Sequence, residues 1–288
     1  MCREVKKLKT IQPFFYMNSP VYEQEWYLNQ GISHFYAFQT GESPVVCAVP
    51  DGCMDMIFVY KDGKMNAYAC GTVLDYREYE LTSNADIFCV RFLPGEMPAI
   101  LEGLPAQFLE KMVPVDLICR SRTLLSNMSR EYDFYRRVRV FLREYSGFYN
   151  RREGAVGKEK LVEACRDTMV NTDGKVKIAD LAEETGYSTR YINKVFFEAY
   201  GFSPKVFCKV VQFQRTLEFL NSGSQEKMTE AAVQLGYYDQ PQFIRDFKAH
   251  CGMTPKKYTM LVKNRQFVQK MKDFYEEEHF SFQLPIAN

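Results

Sequence analysis

The feature that most constrains this 288-residue chain is a degenerate internal repeat between residues 179 and 255. Ala182 matches Ala232 and Gly186 matches Gly236 at an offset of 50, while Phe196 matches Phe247, Gly201 matches Gly252 and Pro204 matches Pro255 at an offset of 51. Each copy reads as a short helix with a small residue where a second helix must cross closely. A glycine then turns the chain, because glycine reaches φ > 0 without steric cost. A polar residue, Ser188 or Thr189 in the first copy and Asp239 in the second, is placed to cap the next helix. That helix buries Ile192 and Phe196, or Phe243 and Phe247, at i and i+4. It stops at a glycine, and a Ser-Pro or Thr-Pro opens another helix. This is the grammar of a helix-turn-helix. One copy is a weak signal, whereas two within residues 158–262 specify an architecture.

The front of the chain has a different texture. Val45–Val49 ends at Pro50-Asp51-Gly52, Met54–Tyr60 at Lys61-Asp62-Gly63, Met65–Cys70 at Gly71 and Ile87–Leu93 at Pro94-Gly95. Short apolar runs cut by Asp-Gly and Pro-Gly at this spacing predict an all-β sandwich or barrel. In the last run Phe88, Val90 and Phe92 share one face and Cys89, Arg91 and Leu93 the other. From Arg120 the period becomes helical: Leu124, Met128, Tyr132, Tyr135, Val138 and Leu142 form one apolar stripe over about five turns. Arg136, Arg137, Arg139 and Arg143 flank it, and both a dimer interface and packing against the β domain fit this pattern. Five segments follow: a β-rich domain at 1–119, a helical segment at 120–147, a linker at 148–157, a helical domain at 158–262 and a tail at 263–288, whose first part reads as an extension of the last helix to about Glu278.

Charge divides the chain in the same place. Residues 1–119 carry 9 lysines and arginines against 15 acidic residues, and residues 120–157 carry 9 against 4, within a net charge of +1. An acidic front and a neutral-to-basic back hint at a polyanionic partner for the back half. The nine cysteines are scattered and include no Cys-x-x-Cys pair, which argues against a zinc ribbon or a redox motif. Three histidines are too few and too dispersed for a histidine-based metal site. No metal or other cofactor is therefore expected. No apolar run reaches the ~18 residues of a membrane span, and the N-terminus lacks a signal-peptide core, so a cytoplasmic, non-membrane protein is expected.

The doubled motif resembles the DNA-binding domain of the AraC/XylS family of bacterial transcription regulators, over residues 158–262. The resemblance implies seven helices in two helix-turn-helix units bridged by one long helix, here 204–221. It also implies that the second helix of each unit, 189–200 and 240–251, enters the major groove. The base-facing positions implied are Arg190, Asn193 and Lys194 in the first unit and Gln240, Gln242 and Arg245 in the second, with Ser188 and Thr189 counted among the DNA-binding residues. Side-chain chemistry agrees, since arginine pairs bidentately with guanine and asparagine or glutamine with adenine. A solvated helix face is the simpler reading of the same residues. The chain departs from the family pattern at Gln212, Thr216, Ile244 and Thr259.

Val49–Phe58 and Val90–Gly95 resemble recurrent elements of sensor domains in one branch of the same family. They imply a cupin-like N-terminal β-barrel, and hence an α+β two-domain chain. With only His34 in this half, a catalytic cupin metal site is not expected, nor is any enzyme activity. Tyr36, Asp55, Phe58 and Arg91 are the effector-binding candidates, because a buried charge is either paired or available to a ligand. The function expected is a sequence-specific DNA-binding transcription regulator controlled by a signal at the N-terminal domain. The competing reading keeps DNA binding but gives the front half a protein partner, or dimerisation alone. Expected partners are double-stranded DNA, a small-molecule effector, a second copy of the chain and RNA polymerase.

Overall fold

Turn residues delimit the strands of the front half, and period-two burial decides which face each strand side chain takes. The computed structural model describes residues 8, 10–14, 22–42, 44–149, 157–222 and 228–262. Strands β1 (Tyr22–Asn29), β2 (Ile32–Gln39), β4 (Asp55–Lys61), β5 (Lys64–Cys70), β7 (Asp86–Phe92) and β8 (Met112–Pro114) form one antiparallel sheet in the order β1-β2-β7-β4-β5-β8. Strands β3 (Val45–Ala48) and β6 (Arg77–Glu80) pair as a separate ribbon. The β1–β2 turn is Gln30-Gly31, both at positive φ, 54° and 73°. A two-residue hairpin twisted to match its strands requires this.

The expected closed barrel is not formed among the described residues. β1 and β8 end the sheet and do not pair with each other. The helical segment shields the face that closure would have enclosed. Phe35, Phe58, Phe88, Val90 and Phe92 pack there against Phe134, Val138, Phe141, Leu142 and Tyr145 of α3 (Phe134–Tyr149). The opposite face, with Tyr36, Phe38, Ile57, Val59, Ile87 and Cys89, packs on Val46 of the ribbon. The front half is therefore helix, sheet and ribbon in three layers.

The helical stripe is broken. A short α2 (Leu124–Met128) ends before α3, and the Asp133 carboxylate opens α3 by accepting a hydrogen bond from the Arg136 backbone N–H at 2.9 Å, as a capping residue does. Leu124, Met128, Val138 and Leu142 are buried against the sheet, while Tyr132 is 78% exposed. Four of the stripe's six residues thus serve intramolecular packing, while Tyr132 and Tyr135 stay exposed. Arg137 lies inward, its guanidinium donating to Asp86 at 2.7 Å and lying 3.7 Å from the centre of the Tyr60 ring, a cation–π contact.

The back half is helical: α4 (Lys158–Asn171), α5 (Ile178–Thr185), α6 (Thr189–Tyr200), α7 (Pro204–Asn221), α8 (Met228–Gln234), α9 (Gln240–Cys251) and α10 (Pro255–Val262). Most of the proposed linker (150–156) and the whole tail (263–288) lie outside the described residues.

The two halves share a core. Ile11, Phe14 and Val49 from the front belong to one buried cluster with Phe213, Leu217, Phe243, Phe247 and Tyr258. Gln214, fully buried on α7, accepts from the Ile11 N–H at 2.6 Å and donates to the carbonyls of Pro50 at 2.6 Å and Ile11 at 3.3 Å. Gly95, at φ +79°, lies so close to Tyr200 that a Cβ there would stand 1.6 Å from the ring. At its end α6 meets the short helix α1 (Pro105–Phe108), where a Cβ on Gly201 would come within 2.6 Å of the Ala106 nitrogen. The Tyr76 N–H donates to the Ala249 carbonyl at 3.2 Å, which anchors the end of α9 in the same way.

Candidate nucleic-acid interface

Local capping chemistry builds both α6 and α9. In the first unit α5 ends at Gly186, left-handed at φ 73°, and Ser188 rather than Thr189 caps α6, its hydroxyl accepting from the Tyr191 N–H at 3.2 Å. In the second unit Asp239 caps α9 by accepting from the Gln242 N–H at 2.7 Å. Pro241 sits in the first turn, where no intrahelical N–H is needed. Ile192 and Phe196 hold α6 to its unit, and Phe243 and Phe247 hold α9. One extra residue in the second turn changes the repeat offset. Tyr237 turns inward onto Phe243, with ring centres 5.1 Å apart, and the inserted Tyr238 is left 90% exposed.

With the apolar residues inside, the outer faces carry the polar candidates. Arg190, Asn193 and Lys194 are exposed on α6, and Arg245 is 75% exposed on α9. The front domain holds the C-terminal ends of both helices and leaves these residues uncovered. Several have local partners. The Asn193 amide donates to the Thr189 carbonyl at 2.8 Å, and Arg245 Nε lies 3.5 Å from an Asp246 oxygen. Gln240 is half-buried. Gln242 is committed to the helix start, its Oε1 accepting from the Tyr238 N–H at 2.9 Å and its Nε2 facing Asp246 at 3.4 Å. Two exposed tyrosines were missed by sequence reading: Tyr187, whose ring stacks on Tyr191 at 5.2 Å, and Tyr238. Both lie between the turn glycine and the helix cap, which was the available signal.

Departures from the family pattern have structural partners. Thr216 is fully buried on α7, and its hydroxyl lies 3.1 Å from the Tyr237 hydroxyl. Gln212 donates to the Leu235 carbonyl at 2.9 Å, which ties α7 to the second unit.

Among the effector candidates, Tyr36, Asp55 and Arg91 come together on the ribbon side of the sheet. Arg91 donates through Nε and Nη2 to both oxygens of Asp55 (3.0 and 2.7 Å) and through Nη1 to Asp51 at 2.8 Å. The Tyr36 hydroxyl donates to Asp55 at 3.2 Å, and the Gln12 amide donates to Asp51 at 2.8 Å. Burial pushes the Asp51 carboxyl above the usual range, and Arg91 pulls it back. Beside this cluster lies a pocket of about 50 Å³ walled by Phe38, Val46, Ala48, Ile57, Leu81 and Met112. Phe58 does not join it: one residue out of phase with Asp55, it points to the α3 side. Asp51 and Gln12 were not anticipated. Asp51 sits in the turn that the sequence reading used only as punctuation.

Residues 181–260 match the helix-turn-helix domain family, and residues 26–114 match a domain of unknown function, DUF6597. An uncharacterized HTH-type transcriptional regulator of Staphylococcus aureus strain COL is 23% identical over 134 residues, which is 45% of this chain and 18% of the relative. A second, from strain MRSA252, is 23% identical over 155 residues, 49% of this chain and 21% of the relative. The chain thus spans about a fifth of the length of the curated relatives it matches, and these are named as HTH-type transcriptional regulators. Among solved structures, a probable AraC family transcriptional regulator from Rhodopseudomonas palustris is similar at 27% identity over 36% of this chain and 97% of that one, with a TM-score of 0.33. ToxT from Vibrio cholerae is similar at 10% identity over 84% of this chain and 99% of that one, with a TM-score of 0.43.

Proposed function

We propose that this chain, whose residues 181–260 are an AraC-type helix-turn-helix domain, is a sequence-specific DNA-binding transcription regulator that reads two successive major grooves of one duplex. The observation that carries this reading is the pair of capped helices, α6 and α9, bridged by α7, each with its polar outer face uncovered. Arg190, Asn193 and Lys194 read one groove and Arg245 the next, about one helical turn (~34 Å) away. Gln242 positions α9 rather than reading a base. Selection of bound sequences from a random duplex pool by the full chain supplies the site. Arg245→Ala should then weaken binding to that site by ~1–3 kcal/mol and binding to random DNA much less. Equal losses on both show that Arg245 touches phosphate alone and overturn its reading role.

In this proposal a signal reaches DNA binding through the shared core. The pocket beside Arg91 holds about 50 Å³. Ordinary ligand sites are larger, roughly 300 to roughly 1000 Å³. A metabolite therefore enters only if the ribbon moves off the sheet. That movement carries Val49, Pro50 and Asp51, which hold Gln12 and Gln214. A ligand that binds the open form better shifts the population toward it and loosens α7. The small pocket and the fully paired Arg91 equally favour a front half that answers to a protein partner or only dimerises. Thermal-shift screening with small metabolites separates the two: stabilisation that is lost on narrowing the pocket with Ala48→Leu supports the ligand. The buried part of the apolar stripe, Leu124, Met128, Val138 and Leu142, is not available to a homodimer. No helix among the described residues is long and apolar enough to cross a membrane.

A further inference from the structure

Six arginines, Arg120, Arg122, Arg130, Arg136, Arg139 and Arg143, are exposed on the segment from the end of the sheet to the middle of α3, and no ion pair is formed by any of them among the described residues. Hydrogen bonds bring Arg120 and Arg122 to the α3 row. The Glu144 carboxylate accepts from Ser121 (2.9 Å), Thr123 (2.7 Å) and Asn127 (2.7 Å), which straps the Arg120–Arg122 loop and α2 to the middle of α3 beside Arg143. Arg136, Arg139 and Arg143 fall at i, i+3 and i+7, one row along the solvent side of α3. Like charges at these spacings destabilise a helix. Glu144, held by neutral donors, offsets part of the Arg143 charge and Asp133 caps the helix, so three arginines face two carboxylates and the row stays net positive.

The position of the row relative to the reading helices is informative. Tyr149, the last residue of α3, lines one cleft with Glu198, Ala199 and Tyr200 of α6. At ~1.5 Å per residue, the row begins ~9 Å from that cleft and ends ~20 Å from it along α3, within one turn of a duplex.

We propose that this arginine face is a second, sequence-independent DNA contact, which holds the phosphates flanking the site read by α6. It rests on the reading of residues 181–260 as the DNA-binding unit. Guanidinium groups suit phosphate oxygens, and a polyanion supplies the charge that the fold leaves unmatched. A second copy fits less well, because a two-fold contact through this face sets arginine row against arginine row.

The test uses the full chain, its triple variant Arg136→Gln/Arg139→Gln/Arg143→Gln, and two duplexes carrying the selected site. One covers only the two grooves (~20 bp), and the other extends ~20 bp beyond each end. On the long duplex the variant should lose ~0.9 from the salt slope per phosphate contact removed, ~2.7 in all. From ~50 to ~200 mM salt the wild-type affinity should then fall about 40-fold more than that of the variant. On the short duplex the two proteins should behave alike. Equal slopes on the long duplex, with wild-type binding intact, overturn this contact and leave the DNA-binding reading standing. Failure of the wild type to bind any duplex overturns both. Equal slopes together with a variant that no longer sediments as a dimer, or no longer binds phosphatidylserine–phosphatidylcholine vesicles, reassign the face and overturn the proposal.

Discussion

Gln214→Leu tests whether the two halves fold as one unit. Leucine keeps the volume of the side chain but removes all three of its hydrogen bonds to the front domain. Two partners held at 2.6 Å, the Ile11 N–H and the Pro50 carbonyl, are left buried without this partner. Each orphaned group costs ~1–3 kcal/mol, and the apolar leucine offsets ~1–2 kcal/mol of the total. The net loss should be ~0–5 kcal/mol, with about 2–3 kcal/mol as the central expectation, concentrated at the junction. The chain contains one tryptophan, Trp26 on β1, so fluorescence follows the front half during urea unfolding while far-UV circular dichroism follows mainly the helices. Ile11, Phe14 and Val49 complete the core of the second helix-turn-helix unit, so the wild type should show coincident transitions. In the variant the helical signal should shift to lower urea and separate from the fluorescence. Separate transitions in the wild type refute the shared-core argument. So does a variant within about 0.5 kcal/mol of the wild type, the range of an ordinary surface substitution.

Two further perturbations probe the same construction. Gly95→Ala should cost ~2–5 kcal/mol, from the left-handed φ and from the Tyr200 ring it strikes. Gly63→Ala, at φ +71° with nothing within 4 Å, should cost only the backbone share, so equal losses at the two sites would remove Gly95 from the interface. His34 is buried against Trp26 with ring centres 4.7 Å apart, and burial, then the Arg91 charge, hold its pKa well below 6.5. The unfolded chain therefore binds this proton first. Stability is full above about pH 6.5 and is lost as pH falls from there through the folded pKa. His34→Phe should flatten the fall in urea midpoint between about pH 7 and about pH 5. The smaller share of His250, whose pKa burial also lowers, should remain. An unchanged slope would show that His34 is protonated in the folded protein.

Local rules made the back half legible. Turn glycines, caps and i/i+4 apolar pairs act within a few residues of themselves, and α6, α7 and α9 begin and end where those signals stand. Strand parity was equally readable: Asp55 and Phe58 cannot face one pocket, a point the sequence reading overlooked. The shared pairing of Arg91 with Asp51 as well as Asp55 was not readable, because it joins a turn to a strand 40 residues away. Nor was the role of Thr216, which has meaning only beside Tyr237.

The amino-acid order alone determined a duplicated pair of helical units with their polar residues outward, since helix starts, stops and faces depend on neighbours along the chain. Only the tertiary structure decided that α3 covers the sheet in place of barrel closure. It alone also decided that residues 10–14 and the Val49–Asp51 turn finish the core of the DNA-binding half. Those outcomes depend on which apolar surfaces meet across long stretches of chain, and burial is non-directional. An apolar stripe specifies that it must be covered, but not by what.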